Sequence, residues 1–133
     1  MKLFRLISLL FVLTFIYSCG TEKVDLKGTW RVADVETDFT ISSMTPDMIS
    51  QVVEMQKQTH FRILDDTTLI ILSNTNTYQG VWNYSPEDSI IRFFFDNNID
   101  KVNELGKLVD NTIVSKSVSQ VGSITVTYAK TKE

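Results

Sequence analysis

From Thr59 onward the chain repeats one pattern: a short run with apolar residues at alternate positions, then a cluster of Asn, Asp, Ser or Gly. A period of two is the mark of a β-strand, and the clusters supply turn chemistry. Thr59 to Leu64 ends at Asp65-Asp66, and Thr67 to Leu72 ends at Ser73-Asn74-Thr75-Asn76. Tyr78 to Tyr84 is closed by Ser85-Pro86-Glu87-Asp88, and Ile90 to Phe95 by Asp96-Asn97-Asn98. Weaker strands follow over 101–109 and 112–118, with Gly106 a bulge or a break, and then a clear strand over 123–130. Connections this short join antiparallel neighbours, because parallel strands need crossovers of a dozen residues or more.

The segment ahead of this series adds one strand and one helix. Lys27 to Val35 carries Trp30, Val32 and Val35 at strand spacing, just after Gly28. Thr45-Pro46-Asp47 then reads as a helix start: an N-cap hydroxyl, a proline at the first helical position and an acid in the first turn. Met48, Ile49, Val52, Val53 and Gln56 keep helical spacing, which predicts a helix over 46–58. The expected fold is mainly β: an antiparallel up-and-down barrel of about eight strands, with one helix between the first and second. Leu69 and Ile71 oppose Ile70 and Leu72, and Ile91, Phe93 and Phe95 oppose Ile90 and Phe94. Two-sided apolarity predicts that the helix or another element covers the outer face of these middle strands, with Met48, Ile49, Val52 and Val53 the obvious cover.

Cys19 is the single cysteine and fixes the expected address. Lys2 and Arg5 precede an apolar run from Leu6 to Ile16, which has signal-peptide length and falls short of a membrane span. Ile16-Tyr17-Ser18-Cys19 resembles a bacterial lipobox, which implies a lipoprotein signal peptide over 1–18 and lipidation of Cys19. Residues 19–25 would form a short lipidated tether, and 26–133 the domain. The expected localisation is the cell envelope, anchored to a membrane through acylated Cys19, because two or more acyl chains hold a protein stably. Without its basic leader the chain is more acidic than the formal −3 of the whole sequence. That balance gives no electrostatic case for nucleic acid.

Leu26-Lys27-Gly28-Thr29-Trp30 resembles the Gly-x-Trp opening of lipocalins and fatty-acid-binding proteins. With the lipobox, Gly80-Val81-Trp82 and the closing Tyr128-Ala129-Lys130, the chain resembles the small bacterial lipocalin-like lipoproteins of the calycin superfamily. The resemblance implies a barrel whose first tryptophan, Trp30, packs at one barrel end, and a small apolar ligand as partner. The Thr-Asp-Tyr motif and the late arginine of the lipocalin branch are missing at matching positions, and Lys130 is the nearest cation.

Tyr78, Trp82 and Tyr84 share one strand face with Gly80, and are the ligand-binding candidates: aromatic walls with polar tips. The same face reads equally as solid core, since an eight-stranded barrel is just wide enough for its side chains to fill. Phe93, Phe94 and Phe95 read as core. His60 stands alone, Asp65-Asp66 and Glu87-Asp88 sit in turns, and no nucleophile elbow, zinc helix or phosphate loop appears. No catalytic residue, metal ligand or cofactor is expected, and the chain reads as a non-enzyme. Two functions stand: a membrane-tethered binder of a small apolar ligand, and a filled barrel that contacts an envelope protein partner.

Overall fold

The computed structural model describes residues 24–40, 42 and 44–132. The leader over 1–18, Cys19 and most of the 19–25 tether lie outside the described residues. Eight strands follow in order: β1 (Gly28–Phe39), β2 (Thr59–Ile63), β3 (Thr68–Ser73), β4 (Asn76–Ser85), β5 (Ile90–Phe95), β6 (Asn98–Val109), β7 (Thr112–Ser119) and β8 (Gly122–Lys130). Each pairs antiparallel with the next, and β1 also pairs with β8, so the sheet closes into a barrel. The expected topology is therefore the observed one, with the helix α1 (Pro46–Lys57) between β1 and β2. The described core and the closing ladder draw on all eight strands.

Local chemistry explains the element ends. The Thr45 hydroxyl accepts a hydrogen bond from Met48 N at 3.3 Å, capping α1 as the sequence predicts. Asp110 and Asn111, with φ of 46° and 64°, form the two-residue loop between the paired Val109 and Thr112. Two central residues of positive φ match the twist of a hairpin. In the β2–β3 turn the Asp65 carboxylate accepts from the backbone of Thr67 at 2.9 Å and Thr68 at 2.7 Å. These amides, donated chiefly by Thr67 and Thr68, hold its pKa below the usual value. In the β4–β5 turn Arg92 donates to Asp88 at 2.6 Å, and this contact, with the Ile90 amide, lowers the Asp88 pKa.

Gly106 resolves as a bulge. The register of β5 against β6 slips between Ile91 and Arg92, with Ile91 opposite Gly106 and Arg92 opposite Glu104. A Cβ on Gly106 would meet Ile113 Cγ2 and Val114 O at 2.8 Å, so the adjoining β7 leaves space for glycine alone.

The helix is placed differently from the expectation. It packs against β1 and β2, not over the outer face of the middle strands. Ile49, Val52, Val53 and Gln56 are half-buried there, while Met48 and Met55 face solvent. The reason is the ladder: β2 pairs only with Gly28 to Trp30 of β1, so the rest of β1 lacks a neighbour on that side. The helix sits beside that gap, next to the chain ends it connects. Outward Ile70, Leu72, Val81 and Phe94 are consequently half-buried among themselves, with no described element over them.

Trp30 is the node of closure. It faces Phe61 across one ladder and Lys130 across the other, and is 2% exposed. Its indole N–H donates to Leu26 O at 2.9 Å, and its ring stacks on Phe61 with centroids 6.2 Å apart. Trp30→Ala should lower unfolding free energy by about 3–5 kcal/mol, as other buried aromatics do, measured by denaturant titration. The pH dependence has a defined sign. Both lowered carboxylates contribute stability that is full above about pH 4, the unfolded carboxylate value, and lost as pH falls through their folded values. Thermal melts should therefore drop on acidification below about pH 4, and Asp65→Asn, which keeps the acceptor but not the charge, should reduce that slope.

Candidate functional site

An up-and-down barrel has two ends, and here they differ. One, the terminal end, holds the start of β1, the end of β8 and the β2–β3, β4–β5 and β6–β7 turns. The other, the helix end, holds α1 and the β3–β4, β5–β6 and β7–β8 turns. Inward positions of the terminal half are fully packed: Phe61, Ile63, Leu69, Ile91 and Ile113 are each at most 1% exposed. Leu26 plugs this end at 3% exposure, and Tyr128 lies edge-on to Phe61 at 4.9 Å. Burial raises the Tyr128 pKa, consistent with a phenol drawn out of water. Lys130 Nζ stands 5.8 Å from the Trp30 ring and donates to Asp25 O at 3.2 Å.

Toward the helix end the interior opens. Val35, Ile71, Phe93 and Ile124 still touch the core, but only in part buried. Phe95 is half-buried and Tyr78 is 46% exposed. Their rings lie 5.9 Å apart, and Phe93 meets Phe95 edge-on at 5.4 Å, so three aromatics form one inward stripe. Two depressions flank Phe95. One, of about 410 Å³, is lined by Thr77, Tyr78, Gln79, Asp96 and Asn97 as well; the other, of about 290 Å³, by Asn97, Asn98, Lys101 and Asn103.

The three candidates from the sequence share the inner face, as the register requires: Tyr78 faces Ile71, Trp82 faces Phe93 and Tyr84 faces Ile91. They do not come together. Tyr84 and Trp82 pack on the closed core, and the Trp82 indole donates to Asp65 O at 2.9 Å in a terminal-end turn. Trp82 also lines a separate depression of about 340 Å³ with Val24 to Lys27 and Asp66. Only Tyr78 reaches the open half. Phe93 and Phe95, read from sequence as plain core, line that half, while Phe94 points outward opposite Val81. Asn98 and Asn103, legible only as turn and weak-strand residues, face Phe95 and Phe93 across the β5–β6 ladder. Their signal exists only in the register, since nothing local marks β6 as their wall.

The open half also has a lateral gap. The β6–β7 ladder holds only Lys107 with Val114, Leu108 with Ile113 and Val109 with Thr112. Above it, β6 pairs with β5 alone and β7 with β8 alone. Among the described residues no group of His, Cys, Asp and Glu comes together as a metal site, and half-buried His60 faces Leu72.

These positions separate packing from exposure. Trp82→Ala should lower stability by about 3 kcal/mol, the low end for a large aromatic that packs on a core. Tyr78→Ala should lower it by about 1 kcal/mol, the scale of its ring contact with Phe95, in the same denaturant titration. A scan against family models, a search of curated proteins and a search of solved structures each return no match. The functional argument therefore rests on the residues of this barrel.

Proposed function

We propose that the protein is a membrane-tethered, lipocalin-like binding module that takes the apolar part of a small molecule into the helix-end half of its barrel. The observation that carries this reading is the burial gradient along the barrel axis. The inward side chains of the terminal half are at most 1% exposed at Phe61, Ile63, Leu69, Ile91 and Ile113, while the other half keeps Phe93, Phe95 and Tyr78 half-buried or exposed. Pockets for small ligands combine apolar walls with a few polar groups, and amides at the rim supply the latter here. Val24 to Lys27, which follow the expected tether in sequence, lie at the filled end of the barrel. The cell envelope is the compartment that the lipobox resemblance implies.

A second reading keeps an observation of its own. Ile70, Leu72, Val81 and Phe94 form an outward apolar stripe without a described cover, which favours contact with an envelope protein partner. Native mass spectrometry of residues 21–133, purified without detergent, separates the two. An apolar molecule carried through purification and released on denaturation supports the binder. A clean apo mass, repeated after incubation with a lipid extract, rejects it in favour of the protein-contact reading.

A further inference from the structure

The inner surface of the open half is divided by chemistry. One wall is aromatic and aliphatic: Tyr78, Phe95, Phe93 and Ile71. The adjoining wall, flanking the gap between β6 and β7, presents short uncharged polar groups. Asn98 and Asn103 stand inward on β6, and Ser115 and Ser117 stand inward on β7, opposite Val126 and Ile124. Among the register-paired residues of this half no charged side chain falls on the inward face, and the register leaves Ile99 to Val102 without a partner on β5. Glu36, Arg92, Glu104 and Lys116 all fall on the outward parity. Lys101 reaches the smaller depression from the irregular stretch of β6. Asp100 follows it in sequence and Asp96 lines the adjoining depression, so the rim offers no net positive charge to an anion.

We propose that this polar wall reads an uncharged, hydroxyl-rich head group, and that the ligand class is a neutral polyol amphiphile, such as a glycolipid, not a fatty acid. A primary amide carries two donors and an acceptor, and a serine hydroxyl both donates and accepts. Hydroxyls match that mixture, since each also donates and accepts. A carboxylate accepts only, and Lys101, the one cation lining the smaller depression, is offset by Asp96 of the adjoining one, so an anion gains little there against its desolvation cost. The aromatic stripe takes the chain or the apolar face of the sugar. Asn103 Nδ2 is held by Lys101 O at 3.4 Å, which orients its carbonyl oxygen without using it. The β6–β7 gap leaves the amide wall open from the side, so the head group needs no movement of α1.

The inference rests on the binding reading above, and titration calorimetry of residues 21–133 distinguishes failure of either. The probes are dodecyl maltoside below its micelle concentration, laurate at the same chain length, and maltose alone. Dodecyl maltoside should bind about tenfold tighter than laurate, the scale of two hydrogen bonds gained. Asn98→Ala with Asn103→Ala should remove that advantage and leave laurate unchanged. Laurate binding as tightly as the maltoside, or equal weakening of both by the double variant, overturns head-group recognition and leaves the carrier standing. Binding of neither amphiphile overturns both. Maltose binding as tightly as the maltoside supports the polar wall and identifies a free saccharide as the source. Asn98 is exposed, so Asn98→Ala alone, checked by thermal melt, keeps the comparison valid if the double variant does not fold.

Discussion

The barrel depends on Trp30. An eight-stranded meander closes only if its first strand finds both its second and its last, and Trp30 is where β1 holds both at once. Its ring packs on Phe61 from β2, its cation partner Lys130 comes from β8, and its indole N–H ties down Leu26 ahead of β1. Three sequence-distant segments converge on one side chain. Closure removes most of the free edges that an open sheet would expose, leaving the stretch of β1 beyond Trp30 that β2 does not reach and the stretch where β6 and β7 part.

Closure at one end produces the asymmetry on which the proposed binding role rests. Tight packing around Trp30, Phe61 and Tyr128 fills the terminal half, so little interior remains there for a guest. The helix end lacks a comparable plug among the described residues, and its walls relax. The two carboxylates with lowered pKa values, Asp65 and Asp88, lie in turns of the filled end and hold the strand connections there. Charged side chains on the paired strands of the open half fall on the outward parity, while Lys101 and Asp96 line the depressions at its rim.

Much of this was legible in the sequence because period-two alternation and turn residues are local signals. Strand order, antiparallel pairing, the Thr45 cap and the single helix between β1 and β2 all follow from neighbours within a few residues. The bulge at Gly106 was half-legible: glycine marked an irregularity, and the contact with Ile113 and Val114 explains why. The helix position was not legible. Its apolar stripe says that one face is covered, but the partner depends on where β1 lacks a neighbour, which is a matter of ladder length. Tyr78, Trp82 and Tyr84 share a face, yet six residues of strand extend about 20 Å, so alternation could not place them in one pocket.

What the sequence by itself determined is therefore the class of fold and the list of inward residues on each strand, since a side chain's face follows from its parity. Which inward residues meet, and which half of the lumen stays open, was decided by the tertiary structure. Register and bulges set which residues lie opposite one another, placing Asn98 and Asn103 beside Phe95 and Phe93. The physical reason is that cross-strand contacts come from closure of the whole ladder. A single strand carries no record of its neighbour's register.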